Sequence, residues 1–547
     1  MTVKPVPQQD TSRSATGLLL ALLGVPLLWS VWGALTAGLD SAAWQALLHE
    51  PQTWWAFCMS LWTGVLASVL SVALAAWLLS QHFPGPGWAR LLRFLSPMLA
   101  VPHAAFAIGL AFLIAPSGWL LRALSPWATG FDAPPPWLTS QDPWGLGLIA
   151  VLVLKEVPFL LWTAATQLQR ADVAQRWTRE LQVARSLGYG PRAAWWRVLW
   201  PQLWPRLRWP MLAVLAYSLT VVDMALVIGP TSPPTLAVLA WQALLDGDMA
   251  VNAQGAAAAW LLAGLLAVVA CLFWQLPRWA LWRTRWTHGH RGTPRAHWRA
   301  GRLGWAGLTG IYLAVLLALA VGSVSGIWAF PALLPQTLSW QAWAAVAGSF
   351  STLITTLTLA FGSALAALLW SVAWLEYAPP AWDQKLRPLL YVPLVLPPVL
   401  WVVGLHAMSL QLGLDARWTG VWLAHTLAAV PYVLIALSPA YAGFDARYRH
   451  ITASLGHGRA VFLWRVKWPL LRAALVASLA IGFAVSVAQY LPTLFVGAGR
   501  IGTVTTEAVT LASGAQRSLT SAYAWLQWLL PAGFFALAAW LGKPRHF

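Results

Sequence analysis

The stretch Ser186-Leu-Gly-Tyr-Gly-Pro-Arg-Ala-Ala-Trp-Trp-Arg-Val-Leu-Trp-Pro201 returns 268 positions later as Ser454-Leu-Gly-His-Gly-Arg-Ala-Val-Phe-Leu-Trp-Arg-Val-Lys-Trp-Pro469. Nine of the sixteen aligned positions are identical. Self-similarity of this kind marks a duplicated structural unit. Both copies are basic and sit between long apolar runs. Hydrophobicity alone would not reproduce a Gly-x-Gly step and a Trp-Arg-Val-x-Trp-Pro run at one offset. The loop itself therefore has work to do.

The apolar surroundings set the class. The chain's 547 residues are 59% hydrophobic and 9% charged, where a soluble domain carries about 25% charged residues. So much apolar surface cannot be hidden in a water-soluble core, and the chain reads as a polytopic membrane protein. Its 41 tryptophans suit a membrane interface, although a compositional bias would serve as well. Cys58 and Cys271 lie in apolar runs and read as small buried hydrophobes, without a disulfide framework. The apolar run from Thr16 to Leu39 follows Lys4 and Arg13. It is longer than a signal-peptide core, no Ala-x-Ala site follows it, and it reads as a retained first span.

Runs of about 20 apolar residues cross a bilayer as helices. Twelve are expected, near 16–38, 56–80, 94–115, 145–168, 208–230 and 254–277, then 303–328, 347–374, 388–411, 419–440, 473–496 and 519–541. The runs are continuous, which favours helices over barrel strands. The expected fold is thus all-α, in two homologous six-helix halves: 1–277, with the repeated loop at about 177–205, and 303–547, with its copy at about 445–472. A basic cytoplasmic linker, 278–302, joins them. With both termini inside, cytoplasmic segments hold 29 of the 34 Lys and Arg residues, as the positive-inside rule requires. That placement accounts for the net charge of +18 without nucleic acid. The linker reads as a connector held near anionic lipid. Its His288, His290 and His297 have no carboxylate or cysteine beside them, so no metal site is expected.

Other landmarks recur: Ala73–Ala76 with Ala364–Ala367, Pro102 and Gly109 with Pro397 and Gly404, Val157-Pro158-Phe159 with Val430-Pro431-Tyr432, and Ser218, Gly229 and Thr235 with Ser486, Gly497 and Thr503. The duplication therefore runs over whole halves. Within each loop, a short helix should end at Gly188-x-Gly190 or Gly456-x-Gly458, where glycine admits positive φ. A second, basic amphipathic helix should follow, up to Pro201 or Pro469. Such an elbow suits docking into a groove on a protein partner. A lipid-touching interfacial helix is the alternative, but lipid does not need Gly-x-Gly.

The loop resembles the EAA loop of ABC importer permeases. That pattern has Glu-Ala-Ala, a Gly four positions after the last Ala, a hydrophobic residue ten further on and Pro three beyond. Ala184, Gly188, Val198 and Pro201 match it, as do Gly456, Val466 and Pro469. The Glu position holds Gln182 and His450, and the two Ala positions hold Val183 and Ala184, then Ile451 and Thr452. Leu187, Gly190, Leu455 and Gly458 complete the repeated core of the loop. The resemblance implies the type I importer permease fold, with each loop forming a coupling helix. It implies two copies of a cytoplasmic ATP-binding subunit, a periplasmic or extracellular substrate-binding protein, and residence in a bacterial inner membrane. Two halves on one chain resemble the fused permeases of ferric-iron and thiamine import. No G-x-x-x-x-G-K-[ST] motif occurs, so ATP and Mg belong to the partner. No catalytic residue, metal ligand or cofactor is expected in this chain.

Ionisable groups inside a membrane are functional candidates. Asp223 falls within the fifth span, and its counterpart region in the eleventh holds Gln489 and Tyr490. By the resemblance these line the pathway, and an aspartate would suit a cationic cargo such as thiamine, ferric iron or a polyamine. A structural hydrogen bond between helices is the rival for Asp223. Lys155 and Glu156 read as interfacial or as entering the fourth span. His103, His406 and His425 read as satisfied core histidines, and Pro97, Pro102, Pro393, Pro397 and Pro398 as kinks in the third and ninth spans. The alternative function is an ion-gradient-driven secondary transporter. It would need more buried ionisable groups and gives no reason for paired elbows. A membrane enzyme finds no catalytic constellation.

Overall fold

A computed structural model describes residues 14, 17–85, 87–168, 171–275, 298–514 and 516–543. Most of the linker, with its three histidines, lies outside the described residues. Within them the regular elements are helices, and the strand-like features are two isolated bridges, Thr231 with Pro234 and Ser325 with Leu338. Among the described residues nine helices are long and apolar enough to cross a membrane, or eleven if two bent pairs each count as one span. The protein is an all-α, multi-pass membrane protein.

The twelve expected spans differ from these helices where a run is broken. The fifth is split into Trp200–Thr220 and Asp223–Ile228 by Val221 and Val222, and its longer piece carries Arg206 and Arg208. The third is interrupted at 100–102, between Trp88–Leu99 and His103–Ile114. The ninth bends by 105° between Val395 and Pro398, and the eleventh by 74° at Leu471. Pro102 and Pro397 sit immediately before the helices that restart. A proline lacks the N–H that the preceding turn needs, so it can start a helix more easily than continue one.

The chain divides into two compact units. One comprises Asp40–Trp343 with Leu511–Trp525; the other comprises Met1–Leu39, Ala344–Thr510 and Leu526–Phe547. Each unit therefore contains the first span of the opposite sequence half. Small residues make the room for this exchange. In the second unit Val25–Ala37 packs on Pro398–Gln411, so closely that a Cβ on Gly404 would lie 1.6 Å from the Ser30 carbonyl oxygen. Trp29 donates to Gln411 across the same contact (2.6 Å). In the first unit Trp298–Ser323 packs on His103–Ile114, where a Cβ on Gly109 would meet Val315 Cγ1 at 2.6 Å. The recurrence of Gly109 as Gly404 thus marks one structural position used twice.

The second span realigns differently from its sequence landmark. Buried positions of Pro51–His82 and Phe350–Tyr377 coincide at an offset of 296: Ser60 with Thr356, Gly64 with Ala360, Ser68 with Ala364, Ser71 with Ala367 and Leu78 with Trp374. Ser60 Oγ accepts the Leu236 N–H (2.7 Å) and Thr356 Oγ1 accepts the Val504 N–H (2.9 Å). Each caps the helix that begins there. Matching Ala73–Ala76 to Ala364–Ala367 is therefore five residues out of register; short apolar runs carry too little information to fix it. Cys58 and Cys271 are free and exposed rather than buried. They lie on spanning helices, whose outward apolar faces meet lipid.

Candidate functional site: the paired elbows

Each elbow begins with a helix, Ala171–Ser186 or Arg447–Ser454. The first buries Trp177, Leu181 and Ala184, one stripe at helical spacing. The two helices then end in the same way. Gly188 stands at φ +86° and Gly456 at +80°. The Gly188 N–H bonds to the Arg185 carbonyl (3.0 Å) and the Tyr189 N–H to the Ala184 carbonyl (3.1 Å). In the second copy Gly456 bonds to Ala453 (3.0 Å) and His457 to Thr452 (3.1 Å). This paired arrangement is the Schellman motif, and it needs a left-handed residue at the glycine.

Gly190 and Gly458 then cap the next short helices, Pro191–Ala194 and Arg459–Val461, in extended conformation. Both arms pass into a widened π turn, Trp195–Leu199 or Phe462–Lys467, and reach Pro201 or Pro469 just beyond. These prolines supply no N–H to the preceding turn, and π turns are where a helix accommodates such local irregularity. Ala184 and Thr452 are buried at the helix end; Val198 and Val466 are half-buried; Gln182, His450, Pro201 and Pro469 are exposed.

Two further positions emerge from the geometry. Val183 and Leu187 are 58% and 60% exposed; Ile451 and Leu455, at the same offset, are 55% and 69% exposed. Residues four apart share a helix face. Each elbow therefore presents an apolar pair beside its glycine turn. Leu187 and Leu455 were expected at the site. Val183 and Ile451, which depart from the alanines of the pattern, enlarge the same face.

The two elbows are anchored by different chemistry. In the first, Gln202 joins the arms. Its amide donates to Glu180 Oε2 (2.6 Å) and to the Val198 carbonyl (2.9 Å), while its oxygen accepts from Trp177 Nε1 (3.1 Å). Arg176 Nε also donates to Glu180 (2.8 Å). The Gln202 amide first, and Arg176 second, hold the Glu180 carboxyl below the usual carboxylate range. Trp195, Trp196, Trp200 and Trp204 pack against one another with centroids 5.0–5.7 Å apart, Trp195 stacked on Trp200 and the other pairs edge to face. In the second elbow, Glu376 at the end of Phe350–Tyr377 accepts from Lys467, and Arg459 Nη2 lies 2.9 Å from its backbone oxygen and 3.4 Å from Oε2. Sequence reading missed Glu376, because the carboxylate and its cations are more than eighty residues apart.

Asp223, Gln489 and Tyr490 all fall at breaks in the fifth and eleventh spans. Asp223 opens Asp223–Ile228 directly after the gap at Val221 and Val222. Gln489 and Tyr490 occupy the gap between Arg472–Val487 and Leu491–Val496. The gaps match at the 268 offset. Beside the second one lies a buried polar chain. Thr493 donates to the Gln489 carbonyl (2.9 Å), His425 bridges Thr493 (2.8 Å) and Ser486 (2.7 Å), and Ser363 donates to Ser486 (2.9 Å). His425 is thus a satisfied core histidine. His103 lies 3.9 Å from Glu156, and His406 3.5 Å from Asp415.

Lys155 and Glu156 are buried within Leu146–Leu168 rather than interfacial. Lys155 Nζ donates to the Val101 carbonyl (2.6 Å), a group released by the break in the third span. Arg122, in the short helix Trp119–Leu124, is also buried. It donates to the carbonyls of Ser117, Trp328, Ala329 and Ala332. The carbonyls that hold both side chains leave no trace in residue identity. Among the described residues no cluster of three or more His, Cys, Asp or Glu could hold a metal ion.

No family model matches the chain. Individual relatives do. The inner membrane ABC transporter permease protein YnjC of Escherichia coli K12 is 35% identical over 537 residues, 96% of each chain. The molybdenum transport system permease protein ModB of Mycobacterium tuberculosis is 33% identical over 135 residues, 22% of this chain and 51% of the relative. The spermidine/putrescine transport system permease protein PotC of Haemophilus influenzae is 25% identical over 113 residues, 21% of this chain and 44% of the relative. Duplicated helical halves, a repeated glycine elbow in each, and similarity over nearly the full length of a known permease agree: the chain belongs to the ABC importer permeases, of the kind that carries two fused halves.

Proposed function

We propose that the elbows at 177–205 and 445–472 are coupling loops, each seated in one of two copies of a cytoplasmic ATP-hydrolysing subunit. One observation carries the reading: the same Schellman turn, with the same exposed apolar pair beside it, occurs twice at one offset. Gln182, Ala184, Leu187, Gly188, Gly190, Val198 and Pro201 belong to one coupling loop, and His450, Leu455, Gly456, Gly458, Val466 and Pro469 to the other. Both termini and the 278–302 linker face the same cytoplasmic side, and a separate binding protein delivers cargo to the outer loops. ATP and Mg act on the partner subunits. The repeat halves 1–277 and 303–547 supply one elbow each.

Asp223, Gln489 and Tyr490 line the pathway in this reading. Interrupted helices are where transporters place their cargo contacts. The aspartate favours a small cationic solute, such as thiamine, ferric iron or a polyamine, and one relative is named for spermidine and putrescine transport. A molybdenum species is the second reading, favoured by the relatives named for molybdenum transport.

The test is co-expression of the tagged chain with the ATPase subunit encoded beside it. Wild type should retain the ATPase on purification. A Gly188→Glu, Gly456→Glu double variant should insert and lose it. Failure of wild type to retain any ATPase would overturn the reading and point to ion-gradient-driven uptake.

A further inference from the structure

The second elbow contains a charge cluster with no counterpart at the matching positions of the first. Arg459 opens the arm that follows Gly458, and Lys467 closes its π turn. Both reach back to one carboxylate, Glu376, at the end of the Phe350–Tyr377 helix. The Glu376 side chain is 8% exposed and that of Lys467 13%. Aromatic rings flank the cations: Lys467 Nζ lies 4.3 Å from the Tyr441 ring centre, and Arg459 Cζ 4.7 Å from that of Tyr377, with the Arg459 side chain 43% exposed. In the first elbow the positions of Arg459 and Lys467 are taken by Pro191 and Leu199, and the 296 register places Ser80 opposite Glu376. Leu199 is buried. That arm is packed where this one is ion-paired.

We infer that Glu376 is a positioning residue, a latch that ties movement of the second elbow to the Phe350–Tyr377 span. The inference rests on the coupling-loop reading for its function, but the latch itself is a property of this chain. The argument is electrostatic. Removing one partner from a pair this closed to water leaves the other charge stranded. Glu376 and Lys467 therefore stay together through small displacements, and the elbow cannot shift without drawing on the end of that helix. The two cations sit at opposite ends of one arm: Lys467 makes the closed pair at the π turn, and the more exposed Arg459 adds a solvent-screened contact to the same carboxylate at the other end. The first arm packs Leu199 apolarly and is tied through Gln202 to Glu180 and Trp177 of its own elbow, with no ion pair at the matching positions to join it to the second span.

The experiment is hydrogen exchange on the full chain in lipid nanodiscs, alone and with its ATPase subunits. In the chain alone, Glu376→Gln should speed exchange at 459–470 by about tenfold, the local stability that the latch supplies. Exchange at 191–205 should be unchanged, and Glu376→Asp should restore most of the protection. In the complex, a non-hydrolysable ATP analogue should alter exchange at 459–470 and at 370–377 in wild type. Glu376→Gln should keep the first change and lose the second. If Glu376→Gln fails to insert, Lys467→Met provides the same readout. Unchanged exchange at 459–470 in both variants overturns the latch. A wild-type chain that binds no ATPase overturns the coupling-loop reading instead, leaving the result for the chain alone to decide the latch.

Discussion

The two elbows share a backbone and differ in what fastens it. Both turn at a left-handed glycine in a Schellman motif and widen into a π turn before a proline. Around the first, four tryptophans and a Glu180–Gln202–Trp177 chain tie the arms to each other. Around the second, Glu376 ties the arm to a different helix. The same contrast returns at the broken spans. Gln489, Thr493, His425, Ser486 and Ser363 form a hydrogen-bonded chain in one unit. The positions matching the last four in the other are Ala225, Leu152, Ser218 and Ala67, and the Ser218 hydroxyl has no partner. Duplication kept the turn that faces outward and let the supports diverge. A geometry needed twice is thereby separated from the local means of holding it.

The sharpest way to break this comparison is to exchange burial for exposure among the tryptophans. Trp195 is fully buried and Trp464 is 70% exposed. Trp195→Ala should cost about 3–5 kcal/mol, the range for an aromatic removed from a packed interior. Trp464→Ala should cost less than about 0.5 kcal/mol, as exposed changes do. Thermal unfolding midpoints in one detergent measure both. Equal losses would mean that the aromatic stack does not distinguish the elbows.

The next effect tests whether the elbows are equal where they face outward. Leu187→Glu and Leu455→Glu each place a charge in the apolar pair. Each should weaken retention of the ATPase subunit by about 2 kcal/mol, roughly thirtyfold, with unfolding midpoints unchanged. A titration of binding for each variant decides it. If only one matters, the elbows differ in docking as well as in support.

Much of this was legible in the chain. The glycines at 188 and 456 demanded a left-handed turn, and that is their backbone. Basic residues and apolar runs gave the membrane fold. What stayed hidden was tertiary. The exchange of first spans between units depends on Gly109 and Gly404 meeting helices far away in sequence, and a glycine does not announce its neighbour. The register of the second span rests on Ser60 and Thr356 capping distant helices, which an alanine match cannot reveal. Glu376 looked like an ordinary charge at a helix end. Its role follows from two cations brought back by the fold.

The polar chain gives a smaller contrast. Ser486→Ala removes a partner from both His425 and Ser363 and should cost about 1–2 kcal/mol, because buried groups left without hydrogen bonds are expensive. Ser218→Ala, at the matching position, should stay within about 0.5 kcal/mol, since its hydroxyl has no partner to lose. Unfolding midpoints that fall equally would show the two broken spans to be supported alike.

The smallest effect belongs to Glu180, and acid reads it. Its carboxyl is held below the ordinary value of 4.5 by Gln202 and Arg176. A depressed folded-state value means that the ionised form is the one stabilised. That contribution is fully present above the ordinary carboxylate value and is lost as pH falls through the lower folded value. Glu180→Gln should therefore lower stability at neutral pH by less than about 1 kcal/mol, because the carboxylate is partly open to solvent and screened. The difference from wild type should shrink as pH drops below about 4.5. Unfolding midpoints of the two proteins, followed from neutral to acid, should converge. If they stay parallel, the Glu180 carboxylate is not what joins the arms of the first elbow, and the aromatic stack holds it alone.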